Sequence, residues 1–240
     1  MGATLEVEQM KNRLKAGLQR RCWSSGFSRG TAMTDPDATM YRWRQMRPQE
    51  REAVLRSRQS RHVPWHSPPH YEGRSAHYLL TAACYEHRPW IGVTPQRMTE
   101  FESQLLATLG RQCRQVFTWV VLPNHYHVLL HSPDSRTLLK AIGQLHGRTS
   151  FFWNGEEGCR KRHVWHRAAE TEIKSEGHFW AAMNYVLHNA VRHGYAERWQ
   201  DWPYSNAAEY LAEVGRDCAE RRWRSYPLLD FGRDWDPPEL

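Results

Sequence analysis

An α+β fold with a mostly antiparallel sheet is the class this sequence predicts, and three observations carry the reading. Aliphatic or alternating runs (78–85, 116–122, 126–131) interleave with runs of helical period (95–113, 135–152, 175–192). Two of the strand runs are joined tightly through Pro123-Asn124, too short a link for the crossover that parallel neighbours need. The resulting order, β-α-β-β-α-β-α, is that of a sheet covered by helices rather than of alternating βαβ units.

Along the 240 residues, positions 1–23 have a weak helical pattern (Leu5, Met10, Leu14, Leu18) that Gly26, Gly30 and Asp35-Pro36 interrupt. Residues 41–61 are Arg-rich with few apolar positions. The run Pro64-Trp65-His66-Ser67-Pro68-Pro69-His70 disfavours both helix and ladder. This divides the chain into a basic N-terminal extension, mostly helical or disordered (1–66), a compact domain (67–206), and a C-terminal helix and tail (207–240). Within the domain, Tyr78–Tyr85 reads as a strand, and Thr94-Pro95 opens a helix to about 113, with Pro at a tolerated early position. Val116–Leu122 and Tyr126–His131 form the tight strand pair, and Ser135 caps a helix to about 152 after Pro133. Val164-Trp165-His166 is a short fourth strand. A helix over Ser175–Arg192 ends at His193-Gly194, and another spans roughly 205–223.

Composition narrows the function classes. No run approaches the roughly 20 apolar residues of a membrane span, and the start lacks the basic-then-apolar pattern of a signal peptide. Five scattered cysteines, never spaced C-x-x-C, predict free thiols in a reducing cytoplasm. Residues 1–61 carry 13 Lys+Arg against 6 Asp+Glu and the remainder 20 against 20, so the whole net charge of +7 lies in the N-terminal quarter. Concentrated basic charge is the footprint of a phosphate-backbone ligand, or else a solvated basic arm. There is no P-loop, dinucleotide fingerprint, H-E-x-x-H or G-x-S-x-G.

Chemistry concentrates in His125-Tyr126-His127. On a strand, alternation turns both imidazoles to one side and Tyr126, Val128 and Leu130 to the other, where two rings at i and i+2 can share a divalent ion. The alternative is two surface histidines on a half-exposed strand. On the 175–192 helix, Phe179, Met183, Val186 and Ala190 recur as a buried stripe. Tyr185 falls about 100° away from it, on the side of His178, Asn189 and Arg192, with Asn189 one turn on. Such a Tyr is either an edge-of-core residue or a nucleophile, and a phenol with pKa near 10 needs a metal or nearby cations such as Arg192 to act at neutral pH. Arg160-Lys161-Arg162 beside Trp165 is a strand-binding patch or a solvated turn. His163, His166 and His178 are further candidate ligands or bases, and Trp199, Trp202 and Tyr204 read as packing residues.

The blocks Leu122–Leu130, Trp165-His166-Arg167, Asn184–Tyr195 and Asp201-Trp202-Pro203-Tyr204-Ser205 together resemble the single-tyrosine HUH transposases, most closely the REP-associated tyrosine transposases, over roughly residues 70–206. The resemblance implies a ferredoxin-like α+β domain that binds single-stranded or hairpin DNA, works as monomer or homodimer, and resides in the cytoplasm with the nucleoid. It implies a Mg or Mn ion held by His125 and His127, with Asn189 at the position of a third ligand. Tyr185 would attack phosphorus to leave a 5′-phosphotyrosine and a free 3′-OH. The family usually carries Asn-Pro-Val where this chain has Asn189-Ala190-Val191; without proline the helix can run about a turn further. Two other readings stand beside the transposase one. A domesticated binder of structured single-stranded DNA would have no need to keep both histidines, Tyr185 and Asn189. An unrelated metal hydrolase would require carboxylates near the His pair that the sequence lacks.

Overall fold

The computed structural model describes residues 76–228 continuously, preceded by isolated positions between 47 and 56. Expectations for residues 1–66 and for the end of the tail therefore lie outside the described residues. Residues 76–228 all belong to one compact unit. In chain order they form β1 (Ala76–Ala83), α1 (Pro95–Gln112), β2 (Gln115–Val121), β3 (His125–Ser132), α2 (Ser135–Glu156), β4 (Ala169–Glu172), α3 (Glu176–Arg192), α4 (Ala207–Val214) and α5 (Arg216–Ser225), with short 3-10 turns at Tyr85–His87, Ile91–Val93 and Trp199–Asp201. The sheet order is β2-β3-β1-β4 and every neighbouring pair is antiparallel. A β-α-β-β-α-β run with that order is the ferredoxin-like arrangement. The expected fold class is borne out. No helix among the described residues is long and apolar enough to cross a membrane.

Alternation along the strands divides the core in two. Tyr78, Leu80 and Ala82 of β1 and Tyr126, Val128 and Leu130 of β3 face α1 and α2, packing on Phe101, Leu105, Leu138 and Ile142. Leu79, Val120 and Leu129 face the other way, onto Phe179, Ala182, Met183, Val186 and Ala190 of α3 and onto α4 and α5. The stripe read from the helix sequence is the one that is buried. Full burial of each Val, Leu, Ile, Phe or Met among these is worth roughly 1.5–3 kcal/mol.

Val116 and Trp119 share one core although three residues apart, because a register shift between Val116 and Thr118 adds a residue to β2. Asn206 fills this bulge. Its Oδ1 accepts from Thr118 Oγ1 (2.8 Å) and Trp119 N (3.2 Å), and its Nδ2 donates to Phe117 O (3.0 Å). The preceding Trp-Pro-Tyr-Ser segment lies along β2: Val121 N donates to Tyr204 O, and Trp202 Nε1 donates to Val121 O. Trp202 and Tyr204 are thus packing residues, as the sequence suggests. Asn206→Ala leaves buried backbone groups without partners and should cost about 2–4 kcal/mol, read as a lowered urea midpoint at unchanged m-value.

Four elements differ from expectation. The cap of α2 is Asp134, whose carboxylate accepts from Arg136 N (3.0 Å); Ser135 is the first helical residue, and the helix extends to Glu156. Val164–His166 is not the fourth strand, contributing only the isolated bridge Cys84↔Trp165. That strand is Ala169–Glu172, a polar edge strand that apolar patterning does not reveal. The helix expected over 205–223 is two helices, broken at Gly215 (φ 77°). The free thiols expected are found at Cys84, Cys113, Cys159 and Cys218, and burial pushes those of Cys84 and Cys113 up to about 12.

One buried and one half-buried histidine make the fold acid-sensitive. Burial holds His146, which accepts from the Tyr126 hydroxyl at 3.0 Å, down to about 3; burial and the neighbouring His131 hold His77 at about 4. Both lie below the ordinary value of 6.5, so as pH falls the unfolded chain takes up these protons first. Their contribution is complete above about pH 6.5 and is lost progressively towards pH 4. The urea midpoint should fall between about pH 7 and pH 5, and fall less in His146→Gln.

Candidate functional site

β3 begins with the histidine pair, and its alternation turns both rings to the α3 side of the sheet, opposite Tyr126 and Val128. The rings stand 5.1 Å apart, edge to face. Register decides their surroundings: Thr81 of β1 lies directly opposite His127, on the same face. The Thr81 hydroxyl is 2.9 Å from His127 Nδ1, and Asn124 Oδ1 is 2.7 Å from His125 Nδ1. Each Nδ1 is therefore engaged, and each Nε2 points at α3.

α3 starts at the Ser175 cap, whose side chain accepts from His178 N, and ends at Arg192, with Gly194 in the left-handed region (φ 71°). It runs three residues past Asn189, as expected where Ala190 replaces proline. Tyr185 and Asn189, one turn apart, reach the histidines. The Tyr185 hydroxyl is 3.1 Å from His127 Nε2, and Asn189 Oδ1 is 3.2 Å from His125 Nε2. Tyr185 does not lie on a solvent-facing polar side. It is fully buried, like His127 and Asn189, with His125 at 3%, because the face left of the apolar stripe is turned onto the sheet. Arg192 Cζ stands 5.6 Å over the Tyr185 ring, an attractive cation–π distance.

The donor set fits a divalent ion. An amide oxygen only accepts, so Asn124 Oδ1 requires a proton on His125 Nδ1, leaving a lone pair on Nε2. That lone pair faces a second acceptor, Asn189 Oδ1, an arrangement a shared cation stabilises. The other end of this amide, Asn189 Nδ2, is buried without a hydrogen-bond partner, so no competing bond draws the oxygen away. His127 can present Nε2 likewise, with Nδ1–H given to Thr81. Two imidazole nitrogens and one amide oxygen leave coordination positions open, as a site for phosphate requires. Among the described residues no group of three His, Cys, Asp or Glu could hold a metal, and the further oxygen donor that faces the pair is the Asn189 amide. Fixing Nδ1 is the service that second-layer partners give to ligating histidines. Asn124→Ala should accordingly weaken Mn²⁺ binding about 10–100-fold, measured by calorimetric titration.

The remaining candidates separate. Arg160 and Lys161 are exposed. Arg162 is engaged in the fold, giving hydrogen bonds to Glu157 Oε2 (2.6 Å) and Asn154 Oδ1 (2.9 Å) and lying 3.9 Å over Trp90. Its hydrogen bond, with those of Arg97, holds the Glu157 carboxyl below the ordinary range. His166 accepts from Glu86 N and His178 Nδ1 from Lys174 N, so those nitrogens are engaged away from the pair. Sequence reasoning missed Asn124, Thr81 and His193. Asn124 adjoins the motif, Thr81 follows from strand register, and His193, whose ring is 4.9 Å from His125, lies one turn beyond Asn189.

No family model matches the chain. A Haemophilus influenzae protein provisionally named as a REP-associated tyrosine transposase is 27% identical over 148 residues, covering 57% of this chain and 82% of the relative. A solved structure of a REP-associated tyrosine transposase bound to a REP hairpin superposes with a TM-score of 0.48 at 17% identity, covering 60% of this chain and 84% of that one. The resemblance read from the motifs is borne out by the Haemophilus relative.

Proposed function

We propose that this chain is a metal-dependent single-stranded DNA endonuclease and strand transferase of the REP-associated tyrosine type, acting on hairpin DNA. The observation that supports it most is the meeting of Tyr185 with His127 Nε2, and of Asn189 with His125 Nε2, in one buried cluster. His125, His127 and Asn189 would hold a Mg or Mn ion, which when bound supplies Lewis-acid polarisation of the scissile phosphate. Tyr185 Oη loses its proton and forms a bond to phosphorus while the bond from phosphorus to O3′ breaks, and O3′ gains a proton. The products are a 5′-phosphate on Tyr185 and a free 3′-OH; attack by a 3′-OH reverses the step and joins strands. Arg192 places a positive charge beside the developing anion. Arg160 and Lys161 track the backbone, with Arg162 adding its charge from its seat on Trp90. Tyr185 meets His127 of its own chain, so one protomer carries both halves of the site, whether the protein acts as a monomer or as a homodimer. The natural setting is nucleoid DNA in the cytoplasm.

One observation favours the second reading, a non-catalytic binder of structured single-stranded DNA. With His125, His127, Tyr185 and Asn189 at most 3% exposed, a phosphodiester reaches them only when the surrounding side chains move. A labelled hairpin incubated with Mn or Mg and run on a denaturing gel distinguishes the two. Strand transfer predicts a protein–DNA adduct and a shortened strand ending in 3′-OH; tight binding with neither product would establish the binder.

A further inference from the structure

Where β1 ends opposite His125, the chain makes the tight turn Tyr85–His87, in which Glu86 and His87 both have positive φ (54° and 53°). Left-handed backbone is unfavourable for residues carrying side chains, and here specific bonds hold it. Tyr85 N donates to Val164 O (2.8 Å), Glu86 N to His166 Nε2 (3.2 Å) and Asn124 Nδ2 to His87 O (3.1 Å). The outcome is an open aromatic surface. Tyr85 is 40% exposed, with the His166 ring at 4.9 Å and the His163 ring at 5.5 Å, both of them also exposed. None of the three is spent on the core, and the exposed Arg160 and Lys161 lead directly into this segment. Asn124 is shared, since its amide nitrogen fixes the strained turn while its oxygen engages His125.

We propose that Tyr85, backed by His166 and His163, is a stacking platform for one unpaired nucleobase of the strand whose phosphate is brought to His125 and His127, with Asn124 joining platform to site. This rests on the strand-transferase reading for its ligand, and adds where a base beside the scissile phosphate is held. Aromatic faces bind bases through their π surfaces, and exposed cations beside them follow the backbone.

The test uses the full chain and a fluorescent DNA hairpin with several unpaired nucleotides on each side, replaced one at a time by an abasic site. With the wild type, one flank position should weaken binding about 5–100-fold when abasic, the range of one lost stacking contact. Tyr85→Ala should bind intact DNA weaker by a similar factor and show no further loss at that position, while Tyr85→Phe keeps wild-type behaviour. An undiminished abasic penalty in Tyr85→Ala, or unchanged affinity for intact DNA, overturns the platform and leaves the strand-transferase reading standing. Failure of the wild type to bind any hairpin overturns both.

Discussion

Tyr185→Phe is expected to abolish adduct formation and strand cleavage, by on the order of 10⁴-fold or more, as removal of a nucleophile does, while leaving hairpin affinity within about threefold. The two effects separate because the substitution removes one oxygen. The ring keeps its place between α3 and the sheet, where Tyr185 is packed with Val186, Leu129 and Met183. The hydroxyl makes a hydrogen bond to His127 Nε2, so its loss should cost about 1 kcal/mol of stability. A thermal melt guards against misreading a folding defect as lost chemistry. A Phe variant that still forms adduct would move the nucleophile elsewhere.

His127→Ala is expected to act through the ion rather than through DNA contact. It removes one of the two ring nitrogens turned to α3 and leaves Thr81 and Tyr185 without their imidazole partner. Mn²⁺ titration followed by electron paramagnetic resonance should count one tightly held ion in the wild type, weakened more than about 100-fold in His127→Ala and in His125→Ala. Chelation of the wild type should stop adduct formation and added Mn²⁺ should restore it, with no restoration in either variant. If both variants bound the ion normally, the His pair would be a structural element of β3.

The parts of the fold legible in the sequence were those with strong periodic signals. The tight pair β2–β3 stands out because its aliphatic runs are long and its link is only Leu122-Pro123-Asn124. The stripe Phe179, Met183, Val186, Ala190 stands out because nothing interrupts it. Ala169–Glu172 carried no such signal: an edge strand pairs through backbone alone, and Ala-Glu-Thr-Glu has no apolar alternation to betray it. The helical pattern over 205–223 runs through Gly215, although its positive φ makes it the break between two helices. In the site, residue type and spacing offered His125, His127, Tyr185 and Asn189 as candidates beside open alternatives, surface histidines and an edge-of-core Tyr, and it was the motif resemblance that joined them into one site. The depth at which Tyr185 sits was not legible, because a polar stripe on a helix looks alike whether it meets water or a buried site. Thr81 was invisible for a different reason: its partnership with His127 exists only once β1 and β3 are in register. Arg162, one of three adjacent basic residues, could be told from Arg160 and Lys161 only by its contacts with Glu157 and Trp90.

Tyr185 Oη, beside the histidine pair, is the atom proposed to join to DNA. That role is tested most directly by trapping the wild-type chain on a hairpin with Mn²⁺, digesting both polymers, and locating the modified residue by peptide mass spectrometry. The expected result is a nucleotide linked through its 5′-phosphate to the peptide containing Tyr185, absent without divalent ion. A modification on Tyr195 or any other residue, or no modification under conditions where the hairpin is bound, would contradict it.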